Sequence, residues 1–211
     1  MNCTILLLAG GQSSRMGVNK ALLKIGEEVN IKRVANVFKE VTENILVVTN
    51  SPEEYRFLQL PFIPDIYIGQ GPLSGLHAGM SFSETELQVL SACDMPFVSA
   101  EAVNEMLSYY EPGLDAIIPE INGRLQPLFA VYHKNCLPIL MDCLEKKELK
   151  MKHFLEKLTV KIIKESDFAL YHNDPEHFRL LFFNMNTMED YEEAKHIYQT
   201  EFVRKEGKHE F

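Results

Sequence analysis

Two glycines, an arginine and a lysine follow the first apolar run of the chain. The string is Leu8-Ala9-Gly10-Gly11-Gln12-Ser13-Ser14-Arg15-Met16-Gly17-Val18-Asn19-Lys20. Glycines directly after a buried strand let the backbone curl and come close to a ligand. Their N–H groups can then form a concavity that holds an anion. Arg15 supplies a planar fork for phosphate oxygens and Lys20 a point charge. These types in this order suit a triphosphate. The string is neither a Walker A loop, which needs a terminal Gly-Lys-Ser/Thr, nor a GxGxxG turn, because the glycines are adjacent.

A second group sits further along. Ser91-Ala92-Cys93-Asp94-Met95-Pro96 closes another apolar run. An aspartate at the carboxyl end of a strand faces the ligand crevice of an open α/β sheet. Magnesium bound to phosphates takes one or two carboxylates, the remaining positions going to water and phosphate oxygen. Asp94 alone is therefore chemically sufficient as the metal residue. Cys93 is read as packing, since no His/Asn constellation supports a nucleophile. Asn50 and Asp65 end two further runs, and Gly69-Gln70-Gly71-Pro72 opens a helix. A Gly/Pro-rich helix N-terminus is a ready ligand site. Asp65 can accept hydrogen bonds from guanine N1–H and its exocyclic amine, or from ribose hydroxyls. His77, on the following helix, is read as structural.

The elements that must position these groups alternate. Strands are expected at Thr4–Ala9, Asn44–Thr49, Pro61–Asp65, Gln88–Cys93, Asp115–Pro119 and Val160–Lys164, from apolar runs of strand length. Leu125–Tyr132, with Pro127, reads as an edge strand, and Arg179–Phe183 as a late strand. Helices are expected at Ile31–Val41, at Pro72–Phe82 with proline in its first turn, and at Ala102–Tyr110 behind an N-cap at Ser99. His133–Lys146 and Met151–Leu158 are amphipathic. Thr187 caps Met188–Gln199, with Asp190 completing a capping box. Asn184 and Asn186, separated by Met185, would share one face of a strand. Alternating β and α segments imply an α/β fold, a mostly parallel sheet covered by helices on both faces. No linker or repeat divides the chain. The expectation is one domain over residues 1–203 and a polar tail over 204–211. Within it, a nucleotide-binding part spans about residues 1–100 and an acceptor-binding part about 101–203.

Composition narrows the partners. The chain has 211 residues and a net charge of −9 from 21 basic and 30 acidic side chains. That balance, with no Lys/Arg stripe, argues against nucleic acid. No apolar run approaches the roughly 18 residues of a membrane helix, so no membrane partner is expected. The four cysteines show neither CxxC nor zinc spacing and are read as free thiols, which fits a cytoplasmic protein.

The first string resembles LAGGxSxRMGxxK, the signature of nucleotidyltransferases with a Rossmann-like, three-layer α/β/α fold. Within them it is similar to the molybdenum cofactor guanylyltransferases, the MobA family. Cys93-Asp94-Met95-Pro96 resembles that family's CDMP motif, and Asp65 with Gly71-Pro72-Leu73-Ser74-Gly75 its Asp and GPLxG segment. Gln126-Pro127-Leu128-Phe129-Ala130-Val131-Tyr132 is similar to its HPL-ALY strand, with Gln in place of His. Asn184-Met185-Asn186-Thr187 is similar to its NxNTPED segment, with Met188 replacing Pro. Lys150-Met151-Lys152 resembles a basic stretch ahead of a helix. Asn19 stands where many members carry Asp, which bears on the loop's local hydrogen bonding and not on Lys20.

The resemblance implies transfer of GMP from GTP to the terminal phosphate of molybdenum-molybdopterin, with release of pyrophosphate. It implies Leu8, Ala9, Gly10, Gly11, Lys20, Asn50, Asp65, Gly71 and Asp94 at the nucleotide, Arg15, Lys20 and Asp94 as catalytic groups, and Mg²⁺ on Asp94. Asn184 and Asn186 are the expected acceptor residues, and other cofactor-biosynthesis enzymes the expected contacts. The same motifs admit a sister enzyme using CTP on molybdopterin, or another NTP on a sugar or alditol phosphate. A non-catalytic nucleotide-binding accessory protein is the alternative from another class.

Overall fold

The computed structural model describes residues 2–10 and 19–203. Ten strands are described: β1 Cys3–Leu8, β2 Lys24–Ile25, β3 Glu28–Val29, β4 Ile45–Val48, β5 Phe62–Ile63, β6 Leu87–Ala92, β7 Ala116–Ile121, β8 Arg124–Leu125, β9 Phe129–His133 and β10 Val160–Lys164. The helices are α1 Asn30–Lys39, α2 Pro72–Phe82, α3 Ala100–Ser108, α4 Leu137–Glu145, α5 Met151–Leu155, α6 Ala169–Asn173, α7 Pro175–Leu180 and α8 Met188–Ile197. The main sheet runs β10-β7-β9-β6-β1-β4-β5, with β8 paired to β7. β6, β1, β4 and β5 are mutually parallel, as are β7 and β10, while β9 is antiparallel to both β6 and β7. A separate hairpin joins β2 and β3.

β1 explains the layering. Cys3, Ile5 and Leu7 enter one core with Val34 and Phe38 of α1 and Val103 and Met106 of α3. Leu6, on the other face, packs with Leu73 and Met80 of α2, Leu140 of α4 and Phe154 of α5. Successive side chains of a strand point to opposite faces, so a strand with apolar residues on both faces demands helices on both sides. The result is the expected three-layer α/β/α arrangement with a mostly parallel sheet.

α2 lies close on β1 because it carries glycine at positions 75 and 79. A Cβ on Gly75 would come within 2.6 Å of Leu8 Cδ2, and one on Gly79 within 2.3 Å of Leu6 Cδ1. A smaller core of Ile25, Phe97, Met185 and Ala194 ties the β2–β3 hairpin to the segment after Asp94 and to α8. Tyr191 of α8 donates its hydroxyl to the Lys24 carbonyl at 2.8 Å. No helix of the described residues is long and apolar enough to cross a membrane.

Several sequence expectations are corrected. Leu125–Tyr132 is not an edge strand. Pro127 falls in the turn after β8, and β9 then runs fully buried between β6 and β7. Pro127 therefore takes no donor from a ladder. Arg179–Phe183 is not a strand. Asp174 caps α7 by accepting from the His177 amide, with Pro175 at the first helical position, and the Arg-Leu-Leu-Phe-Phe run finishes that helix and its exit turn. Asn184 and Asn186 consequently lie in irregular chain. His133 belongs to β9, so the helix foreseen from that residue begins at Leu137, after a short turn over Lys134–Cys136. The Ser99 cap and the Thr187/Asp190 capping box are as expected.

Candidate functional site

The carboxyl ends of β1, β4 and β5 open onto a cleft of about 830 Å³ whose lining includes Leu8, Ala9, Gly10, Asn50, Asp65 and Gly71. The sheet itself sets these positions. Ala9 donates its amide to the Val48 carbonyl at 2.9 Å, and Thr49 donates to the Ile63 carbonyl at 2.9 Å. Gly10 is exposed and has room for a side chain, its Cβ position lying 3.9 Å from the Val48 oxygen. Glycine here keeps the cleft floor bare and answers no packing need. Gly71 is different. Its φ of +69° is a region that L side chains rarely adopt, and it turns the chain into α2.

Asn50 and Asp65 hold each other across β4 and β5. The Asn50 amide nitrogen donates to Asp65 Oδ2 at 3.0 Å, and the Asp65 backbone N–H donates to Asn50 Oδ1 at 3.1 Å. Asp65 Oδ1 takes no part in this pair and would lie 3.8 Å from a Cβ on Gly75 at the cleft wall.

Lys20 and Asp94 are not on this lining. Lys20 follows Asn19, which is on it, and Asp94 follows β6, the neighbour of β1. Lys20 Nζ donates to Asn186 Oδ1 at 3.2 Å. Burial pushes the Asp94 carboxyl above the usual range, and the Lys20 charge partly offsets this. Asp94 Oδ1 is buried and has no hydrogen-bond partner among the described residues. The same lysine charge also favours ionised Asp190, which is held down chiefly by accepting from the Asn186 amide. Asp94, Lys20, Asn186 and Asp190 thus form one electrostatic group. Asn184 stands apart from it, donating to the Phe182 carbonyl at 3.0 Å.

The segment carrying Asp94 is fixed through its backbone carbonyls. Asn30 Nδ2 donates to the Cys93 carbonyl at 2.6 Å, the Met185 amide to the Asp94 carbonyl at 2.9 Å, and Arg33 Nε to the Pro96 carbonyl at 3.2 Å. Arg33 is itself held over the Tyr198 ring, 4.4 Å from its centroid. Asn30 escaped the sequence reading. Its signal was a polar residue at the start of an amphipathic helix, and it is fully buried.

Burial drives the Cys93 thiol up to about 12, so it is protonated at neutral pH and fits a packing role. His77 is interior, edge-on to Tyr67 at 5.0 Å, and burial lowers its pKa. Lys150 is exposed just ahead of α5. Gly11, Arg15 and the tail over 204–211 lie outside the described residues.

The donor set bears on magnesium. No group of three or more His, Cys, Asp or Glu able to hold a metal occurs among the described residues. One buried carboxylate oxygen without a partner, beside a cleft of nucleotide size, fits a magnesium ion that takes its other ligands from phosphate and water.

A mostly parallel α/β sheet with polar groups at its strand ends, a glycine after β1 and a buried carboxylate oxygen near a lysine has the form of an α/β protein that takes its ligand in a cleft at the carboxyl edge of the sheet. A family model described as MobA-like NTP transferase domain matches residues 5–162. A probable molybdenum cofactor guanylyltransferase of Pelotomaculum thermopropionicum is 36% identical over 195 residues, covering 92% of this chain and 93% of that one. One of Clostridium perfringens is 37% identical over 190 residues, covering 89% and 93%. The crystal structure titled molybdopterin-guanine dinucleotide biosynthesis protein A from Archaeoglobus fulgidus superimposes with a TM-score of 0.80 at 26% identity, covering 93% and 98%. The chain belongs to the MobA-like NTP transferase family and is a nucleotidyltransferase.

Proposed function

We propose that this chain transfers GMP from GTP to the terminal phosphate of molybdenum-molybdopterin, giving molybdopterin guanine dinucleotide and pyrophosphate. The observation that carries the reading at the site is the buried Asp94 oxygen, without a partner among the described residues and with Lys20 beside it, next to the cleft that opens at the ends of β1, β4 and β5. The relatives named above support the choice of donor and acceptor.

In this reading the guanosine occupies the cleft along Leu8, Ala9, Gly10 and Gly71, with Asn50 and Asp65 on its base or ribose. Lys20 and Arg15 hold the β- and γ-phosphates. Asp94 would hold Mg²⁺, which would supply neutralisation of phosphate charge and polarisation of the α-phosphorus. An oxygen of the acceptor phosphate forms the new bond to that phosphorus. The bond from the α-phosphorus to the bridging oxygen breaks, and its electron pair leaves with pyrophosphate. The attacking oxygen is already anionic, so no general base is needed. Rate comes from alignment and charge neutralisation. Asn186, tied to Lys20, faces the acceptor from the second half of the chain, with Asn184 nearby in sequence.

The test is magnesium-dependent pyrophosphate release with each of the four NTPs, with and without molybdenum-molybdopterin. Release with GTP alone, and only with the acceptor present, is expected. Release only with CTP would replace the product by the cytosine dinucleotide. Nucleotide binding without release under any combination would overturn the transferase reading of this acceptor.

A further inference from the structure

Asn19 makes three hydrogen bonds from one side chain. Its Oδ1 accepts from the Ala21 amide at 3.1 Å and so caps the short helical turn Lys20–Leu22. Its Nδ2 donates to Glu54 Oε2 at 2.7 Å and to the Tyr55 hydroxyl at 2.8 Å. Glu54 and Tyr55 belong to the turn Pro52–Leu58, which leaves β4 on the other wall of the cleft. One amide therefore bridges the turn that starts with Lys20 and the opposite wall.

The bridge is chemically selective. Oδ1 faces a backbone donor and Nδ2 faces a carboxylate, so only one orientation of the amide satisfies both sides. A carboxylate at position 19 could still cap Ala21, but it has no proton to give Glu54. Tyr55 would adapt, because a hydroxyl can turn its proton either way. Tyr55 is buried, and burial as the largest cause raises it to about 12, so it keeps that proton at neutral pH. Glu54 has no proton to offer, so it would have to leave the contact for water or share a spacing of hydrogen-bond length with a second carboxylate.

From this geometry we infer that Asn19 is a positioning residue for Lys20, and that its amide is required because Glu54 stands opposite. The pair acts as a fastening across the cleft, and the identity of residue 19 is set by the identity of residue 54. The effect on phosphate binding rests on the guanylyl-transfer reading; the fastening does not.

The test uses four full-length proteins: wild type, Asn19→Asp, Glu54→Gln and the double variant. Two readouts are taken, hydrogen exchange of the Ala21, Leu22 and Leu23 amides and the KM and kcat for GTP. With Glu54 in place, Asn19→Asp should speed exchange of these amides and raise KM by about tenfold, the scale of one lost charge-assisted hydrogen bond. In the Glu54→Gln background the new side-chain amide can donate to the carboxylate introduced at position 19. There the same change should shift either quantity by less than about twofold. An equal effect of Asn19→Asp on amide exchange in both backgrounds would overturn the inference, and so would no effect in either. Exchange that follows the cycle while the wild type releases no pyrophosphate from GTP would leave the fastening standing and remove the guanylyl reading.

Discussion

Asp94 is the residue on which function and stability pull in opposite directions. Burial raises its pKa, with the nearby Lys20 pulling the other way and losing. The folded state thus binds the Asp94 proton more tightly than the unfolded chain does. The sign follows from linkage. Stability associated with this group is highest while the carboxyl is protonated, and falls as pH rises from the unfolded carboxylate range through the raised folded value. Ionising the carboxyl in the ligand-free protein puts charge on an oxygen, Oδ1, that is buried and has no partner among the described residues. Asp94→Asn removes that charge with little change of shape. The variant is expected to melt a few degrees above wild type at pH 7, with the gap closing in acid, while magnesium-dependent turnover falls by several orders of magnitude. Asp190 and Glu165 shift downward and contribute stability that is lost in acid, so variant and wild type must be compared at each pH. A melting point unchanged or lowered at pH 7 would overturn the buried-charge account, and turnover retained would remove Asp94 from the metal role. This residue was legible in the sequence because an acidic group after an apolar run and before Pro96 has few other uses. Asn19 was legible only as a departure from a pattern. Its partner Glu54 lies 35 residues on, and nothing local announces the pairing.

Elements were legible where they are local and obscure where they depend on neighbours. β1 and β6 are buried and mainly apolar because they lie in the middle of a covered sheet, and their composition shows it. β9 is equally buried, yet Pro127 ahead of it resembles the proline of an edge strand. Only the pairing with both β6 and β7 reveals its true place. The opposite failure occurred at α7, where the Asp174 cap and Pro175 gave a helix start that the apolar run behind them hid. α2 is the element whose glycines have a stated physical reason. Gly75 and Gly79 fall on one face, four residues apart, and meet Leu8 and Leu6, two residues apart on one face of β1. Replacing glycine by alanine inside a helix ordinarily stabilises it by about 0.5–1 kcal/mol. At Gly79 the new Cβ would sit 2.3 and 2.5 Å from the two methyl carbons of Leu6, which is fully buried and has nowhere to turn. Overpacking of this kind costs about 1–3 kcal/mol and should outweigh the propensity gain. Gly79→Ala is therefore expected to lower the melting temperature, and Leu6→Val in the same chain to recover part of the loss. A variant as stable as wild type would mean that α2 can lift from β1 without penalty.

At the scale of the molecule, the question is whether the part that would hold nucleotide and the part that would hold acceptor unfold together. The sequence suggested one domain from the want of a linker, and the sheet supplies a physical reason. Val131 of β9 pairs with Val89 of β6 on one side and with Ile117 of β7 on the other. The parallel strands that carry the cleft and the β7–β10 pair therefore share a strand. The core beneath them is continuous as well, since Ile5 and Phe38 fall in one cluster with Phe129 and Phe182. Lys20 reaches Asn186 from the other end of the chain. No described boundary exists along which one half could open while the other kept its core, so unfolding should be a single cooperative step. The chain has no tryptophan, so tyrosine provides the local probe. Tyr55 lies in the first half and Tyr132 in the second, and both are buried. Near-ultraviolet ellipticity of single Tyr55→Phe and Tyr132→Phe variants assigns the two signals. Each should then melt at the same temperature as the far-ultraviolet signal, and GTP with magnesium should move all three upward together, since a ligand that binds only the folded form stabilises the whole cooperative unit. A Tyr132 signal that stays in place while the Tyr55 signal moves would divide the molecule at β9. The acceptor half would then be a separate folding unit, and the Lys20–Asn186 contact could not by itself couple nucleotide binding to acceptor binding.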